Sequence, residues 1–212
     1  MSGLIGEHVV SVIIPAYGTE PYIQNLIKEI DRLMAGKVEI LVQREKGFFN
    51  AIIAGVRRSK GNVIVVMDAD GSHNPLYIPK LIEKLRNADV VLGSRYVEGG
   101  QNMDVPLRRV VSILFCLLVR KLFRLNVLDP MSGFIVAKKD VFSKVKLNPI
   151  GYKLALEILV RGCGKIKVSE YPIIFEKCKA GKKSIRISNF VQGIKTLALI
   201  IRLYALRNNT CR

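Results

Sequence analysis

The chain has 212 residues, half of them hydrophobic, and carries 34 Lys and Arg against 17 Asp and Glu, a formal net charge of +17. That length and apolar content exclude a disordered chain and allow one domain, 1–212, with a sizeable core. The charge points to anionic partners such as nucleotide phosphates or lipid headgroups; no nucleic-acid partner is expected, because no aromatic-basic interleaving accompanies it.

The apolar run VVSVIIP at 9–15 predicts a buried strand, with a loop, AYGTE, at its carboxyl end. Pro21 suits the first turn of a helix, and Ile23, Leu26, Ile27, Ile30, Leu33 and Met34 recur at helical spacing, so 21–35 reads as an amphipathic helix. A short strand at 38–42 and a helix at 49–59 follow, the helix ended by Gly61. VIVVM at 63–67 is an unbroken, β-branched-rich run, as in a strand buried on both faces of a parallel sheet. It stops at Asp68-Ala69-Asp70, followed by the turn residues Gly71, Ser72, His73, Asn74 and Pro75. In open α/β sheets ligands bind at that end of a strand. The two carboxylates repel each other unless a cation sits between them, and a hard divalent ion shared with nucleotide phosphates suits them. In isolation such a pair also reads as a polar cap of the next helix.

Residues 79–87 predict a short helix, and ADVVLG at 88–93 another buried strand ending in Ser94-Arg95-Tyr96. A guanidinium there can grip phosphate oxygens with paired hydrogen bonds. LRRVVSILFCLLVRKLFRL at 107–125 is apolar in its middle and basic at both ends. It reads as a core helix or as one lying in a membrane interface, with Arg108, Arg109, Arg120, Lys121 and Arg124 toward anionic headgroups. Asp129 opens a polar turn before a strand at 134–137 and is the third candidate carboxylate. In GYKLALEIL at 151–159, Lys153 and Glu157 stand four apart, and on a helix a simple ion pair is the plain reading of that spacing. KIKVSEYPIIF at 165–175 alternates like an edge strand, with Pro172 consistent with an edge. KCKAGKKSIR at 177–186 is a basic loop, and 190–206 a final helix, apolar except for Lys195 and Arg202, that is a second interface candidate. No apolar run reaches the length of a membrane span. Cys116, Cys163, Cys178 and Cys211 lack zinc-ligand spacing, which together with the lack of a signal peptide predicts free thiols in a reducing cytosol.

VIVVMDADGSHNP resembles the DxD segment of family 2 glycosyltransferases with the GT-A fold, more narrowly their dolichol-phosphate mannose synthase branch. IPAY, KGFFNAI, DAD, GSR, D-x-x-SGF and GYK stand in the family's order. The resemblance implies an α/β, Rossmann-like, mostly parallel sheet with helices on both faces, plus peripheral amphipathic helices. It implies metal-dependent transfer of a hexose from a nucleotide sugar to a polyprenyl or dolichyl phosphate, GDP-mannose being the first choice of donor and UDP-glucose the second. Such an acceptor implies peripheral contact with the cytoplasmic face of a membrane. The resemblance places Pro15, Tyr17, Glu20, Lys46, Asp68, Ala69, Asp70, Lys179, Lys183 and Ser184 around the nucleotide sugar, and Mg²⁺ or Mn²⁺ on Asp68, Asp70 and Ser72. Asp70, Arg95, Arg108 and Arg109 then serve the phosphates during transfer, and Asp129 is the base if the acceptor is instead a sugar hydroxyl.

The chain departs from the branch in three places. Thr19 stands where an acidic residue is common, with Glu20 beside it. Cys178 stands where an Arg precedes the glycine of the basic loop, and Lys183 and Ser184 are in exchanged order. A strand-helix unit whose acidic VDDGS-like turn holds base and ribose is absent, so 38–42 serves as the family's second or third strand. A nucleotide-binding or scaffold protein of the same fold, without efficient transfer, is the alternative these departures allow.

Overall fold

The computed structural model describes residues 9–16, 20–45, 47–145, 147, 152–177 and 185–210. In chain order its elements are β1 (Val10–Pro15), α1 (Glu20–Leu33), β2 (Val38–Gln43), α2 (Phe48–Arg58), β3 (Val63–Val66), α3 (Ile78–Lys84), β4 (Val90–Ser94), β5 (Gln101–Asn102), α4 (Pro106–Phe123), β6 (Ile135–Lys138), α5 (Val141–Lys144), α6 (Leu154–Arg161), β7 (Val168–Pro172), β8 (Ile174–Phe175) and α7 (Ile185–Thr210). Six strands form one sheet in the order β2-β1-β3-β6-β4-β7. All its neighbours pair in parallel except β6, which runs antiparallel to both β3 and β4.

Successive residues of a strand point to opposite faces, so a strand covered on both sides must be apolar at every position. β3 meets that condition. Val63 and Val65 pack with Val10, Val12 and Ile14 of β1 against Ile23, Ile30 and Met34 near α1 and Ile78, Leu81 and Ile82 of α3. Ile64 and Val66 pack with Ile13 on the other face, against Ile52 and Val56 of α2 and Leu154 and Ile158 of α6. A third cluster joins Cys116, Val119 and Phe123 of α4 to Leu156 of α6 and to Leu199, Ile200 and Leu203 of α7.

Four expectations change. The segment expected as one edge strand divides: β7 pairs with β4, while β8 pairs with β5 in a separate ribbon. Pro172 ends β7, and the Ile173 N–H turns instead to the Ser94 carbonyl at 3.0 Å. The helix expected from 151 starts at Leu154, because Lys153 has non-helical angles (φ −103°, ψ 64°). Its expected ion pair is absent: Glu157 pairs with Arg161 at 2.8 Å. Gly61 does not end α2, which stops at Arg58; a side chain there would collide with the backbone of Val9 and Ser11, so the close approach of β1 explains it.

The missing strand-helix unit is visible in the topology. β2 bonds directly to β1, and α2 leads straight into β3, with no strand beyond β2 in this sheet among the described residues. The carboxyl ends of β1, β3 and β4 share one edge. Because β6 is antiparallel, the chain before it, 129–134, arrives at that same edge.

Candidate active site

At this edge β3 gives way to Asp68 and Asp70. Residue 70 closes a tight turn: its Oδ1 accepts from the Ser72 backbone N–H at 3.0 Å and from the Ser72 hydroxyl at 2.6 Å. Ser72 is fully buried. Its hydroxyl hydrogen orients Asp70, and its oxygen keeps its lone pairs. The Asp68 backbone N–H donates to Nδ1 of His73 at 3.0 Å. An accepting Nδ1 is unprotonated, and burial pushes His73 down to about 4, so the ring is neutral at pH 7. It stacks on Phe134 at 5.1 Å and meets the edge of Phe175 at 5.4 Å. Gly133 fits beside it because a Cβ there would lie 3.1 Å from the His73 ring and 3.2 Å from an Asp68 oxygen.

Burial, and next the charge of Asp70, push the Asp68 carboxyl up to about 7; Lys153 opposes the shift. Its side chain is 35% exposed, so its oxygens can be reached from solvent.

Asp129 and Arg95 face each other rather than a substrate. Arg95 donates Nε to Oδ2 at 2.7 Å, Nη2 to Oδ1 at 2.8 Å and its backbone N–H to Oδ2 at 3.0 Å. Its guanidinium lies 5.0 Å from the Tyr96 ring centre and 5.4 Å from that of Phe175. Burial alone would weaken its charge, but the bonds to Asp129 outweigh this and hold its pKa above the usual arginine value. The paired donors expected for phosphate are therefore already engaged. Asp129 is fully buried and both its oxygens are occupied, so it does not present the open, unpaired oxygen a general base needs. The Cys116 thiol of α4 also points at Asp129, 3.7 Å away, and burial with that neighbouring charge raises it to about 12. Glu170 of β7 accepts from the backbone N–H groups of Leu128 and Asp129 at 2.7 and 2.8 Å, fixing this turn.

The other predicted residues divide. Pro15 and Ala69 lie at the edge, Ala69 buried. Arg108 pairs with Asp104 at 3.6 Å and Arg109 donates to the Asn102 carbonyl at 3.4 Å, both in the first turn of α4 at the rim. Tyr17, Lys46, Lys179, Lys183, Ser184 and the side chain of Glu20 lie outside the described residues. The approach to the basic loop is fixed, however, by a hydrogen bond from the Glu176 N–H to the Ser72 carbonyl at 3.0 Å, directly on the DAD turn. Sequence reasoning gave no role to His73 and assigned Lys153 to Glu157. Lys153 instead donates to the Met131 carbonyl at 3.4 Å, among Arg95, Asp129 and Asp68. Both residues stand inside quoted motifs, DADGSHNP and GYK, which was the only signal available. A groove of about 1620 Å³ lies elsewhere, along α2 and the start of β3, and contains none of these carboxylates.

The profile of the family described as "Glycosyl transferase family 2" matches residues 28–146. The chain belongs to glycosyl transferase family 2. Among relatives, a dolichol-phosphate mannosyltransferase of Pyrococcus furiosus is 34% identical over 209 residues, covering 84% of this chain and 59% of that protein. The protein of the same name from Saccharomyces cerevisiae is 32% identical, covering 81% and 69%. An undecaprenyl-phosphate mannosyltransferase of Micrococcus luteus is 35% identical, covering 66% and 60%. This family member thus spans about three fifths of the Pyrococcus relative's length. Of the 209 aligned positions, 84% of 212 residues fills only about 178, so some thirty have no counterpart here, the size of a strand-helix unit. The fold is that of the GT-A enzymes: glucosyl-3-phosphoglycerate synthase from Mycobacterium tuberculosis superposes with a TM-score of 0.70 at 17% identity, over 97% of this chain and 85% of that one. A complex of that synthase with Mn²⁺, UDP-glucose and phosphoglyceric acid gives 0.69 at 16%, over 97% and 85%.

The donor set of this family 2 chain fits a hard divalent cation. Among the described residues no three acidic, histidine or cysteine side chains converge to cage a metal. Two carboxylates alone leave most of an octahedral shell to water and substrate phosphates, as is usual for Mg²⁺ in nucleotide sites.

Proposed function

We propose that this chain transfers a hexose, mannose first and glucose second, from a nucleotide sugar to a polyprenyl phosphate. The observation that carries the reading is the direct link between the carboxylate edge and an uncovered apolar surface. Asp129 touches Cys116 on the inner side of α4. The outer side of α4 exposes Leu107 at 74%, Val110 at 54%, Leu114 at 60% and Leu117 at 51%, and α7 adds Ile194 and Ile201. Isolated exposed apolar residues are ordinary, but a contiguous patch marks an interaction site. With Arg120, Lys121 and Arg124 at the end of α4, it suits the headgroup level of an anionic membrane, where a lipid phosphate resides. No described helix is long and apolar enough to cross a membrane. The names of the relatives at 32–35% identity support the same acceptor class.

Mg²⁺ or Mn²⁺ held by Asp68 and Asp70 would neutralise the charge that develops on the departing nucleoside diphosphate. Ser72 fixes Asp70 and the neutral His73 fixes the backbone at Asp68, so the pair is aimed before donor arrives. A phosphate acceptor is already anionic at neutral pH and needs no strong base, which agrees with the engagement of Asp129 by Arg95. The arginines at the start of α4 and the basic loop that follows Glu176 would hold the two phosphate-bearing substrates together against their repulsion.

The test is a panel of labelled nucleotide sugars with polyprenyl phosphate and Mn²⁺, read as lipid-linked sugar. Transfer from GDP-mannose above all other donors is the expected result. Metal-dependent nucleotide binding with no transfer from any donor would replace this reading with that of a nucleotide-binding protein.

A further inference from the structure

Lys153 is a half-buried cation with no ion-pair partner among the described residues. It directly precedes α6, and its neighbour by sequence spacing, Glu157, is taken by Arg161. Of the three donors of an ammonium, one makes a long bond, 3.4 Å, to the Met131 carbonyl, and among the described residues no carboxylate lies within ion-pair distance. Burial, then the charge of Arg95, push its pKa down, while Asp129 and Asp68 pull it up. A half-buried ammonium with one long hydrogen bond keeps donors free for an anion that reaches the site.

The charges around it say what is missing. Arg95 and Asp129 cancel each other through two side-chain hydrogen bonds. Asp68 and Asp70 would hold a divalent ion if one binds here. Among the described residues of this inner group, Lys153 is then the cation left for a second anion. Its position selects the acceptor side. Met131, its bonding partner, packs with Leu156 and with α4 and α7, whose outer faces form the exposed apolar surface.

Resting on the polyprenyl-phosphate reading, the geometry points to Lys153 as a binding residue for the acceptor phosphate. An ammonium on a long stem can reach a phosphate as a point charge. The experiment measures binding, so it does not depend on turnover. Farnesyl phosphate, farnesol and GDP with Mn²⁺ are titrated into wild type, Lys153→Met and Lys153→Arg in mild detergent. The Met variant should bind farnesyl phosphate about tenfold to a hundredfold more weakly, the weight of one charge-assisted hydrogen bond. Farnesol and GDP should change by less than about twofold, and the Arg variant should recover part of the loss. Equal weakening of all three ligands, a loss confined to GDP, or no change overturns the assignment. So does wild type that binds farnesyl phosphate no better than farnesol. If the Met variant does not fold, Lys153→Gln against Lys153→Arg makes the same comparison. A wild type that binds farnesyl phosphate through Lys153 yet transfers no sugar would sink the proposed reaction and leave this assignment standing.

Discussion

Removing the Asp129 carboxylate should damage the fold before it damages chemistry. Asp129→Ala leaves the Arg95 guanidinium, 11% exposed, without its two acceptor oxygens, and the Arg95 backbone N–H loses Oδ2 as well. Deleting one partner of a buried pair costs about 3–5 kcal/mol, because the other charge stays buried. Total stability of a domain is only about 5–15 kcal/mol, so this is a large share. In a chain of this size each kcal/mol moves Tm by about 2–4 °C, which gives a fall of about 6–20 °C. The neighbouring aromatic contacts of Arg95 offset little of it, as a cation–π contact contributes about 0.5–2 kcal/mol. The double variant Asp129→Leu with Arg95→Met removes both charges and should recover much of the loss. Differential scanning fluorimetry of the single and double variants, with circular dichroism to check folding, reads this directly. An Asp129→Ala protein that melts with wild type and loses only turnover would refute the reasoning and restore Asp129 as a general base.

Asp70→Asn should abolish metal-stimulated GDP binding with Tm nearly unchanged, and calorimetry showing the same Mn²⁺ dependence as wild type would misplace the site. The Asp68 carboxyl, raised from 3.8 to about 7, makes the apo protein hold a proton that the unfolded chain has lost; its contribution to stability is full below about pH 4 and lost as pH rises through about 7. Mn²⁺ must displace that proton, so Mn²⁺ affinity should climb about tenfold per pH unit below 7 and level off above it, and a flat profile from pH 5.5 to 7.5 contradicts the assignment. Flotation with anionic liposomes should be strong at low salt and weaken with salt and with Arg120, Lys121 and Arg124 changed to Gln, at about 1 kcal/mol per cation; no flotation at low salt removes the membrane reading of α4 and α7. Cys116, buried and pushed up to about 12, should resist alkylation at pH 8 while the exposed Cys163 reacts, as mass spectrometry of the labelled peptides would show.

The sequence alone determined what depends on neighbours along the chain. β1, β3 and β4 are legible because burial on both faces demands an apolar side chain at every position, and few other segments satisfy that. The carboxylate pair is legible because a buried strand ending in Asp68-Ala69-Asp70 and a turn leaves the acids only one place to go. The unpaired apolar faces of α4 and α7 follow from helical spacing, since residues 110–119 carry no charge on any side. Strand direction was not legible: β6 is as apolar as a parallel strand, and only its hydrogen bonds to β3 and β4 show that it runs the other way and so delivers Asp129 to the DAD edge. The pairing of Arg95 with Asp129 joins residues 34 apart in sequence, and no local pattern records which of several charges a guanidinium meets. The same holds for Lys153. Helical spacing offered it Glu157, but the helix begins one residue later, Arg161 takes that carboxylate, and the lysine is left at the site. Partners of charged side chains are decided by which groups are buried together, and burial is a property of the packed chain, not of the segment.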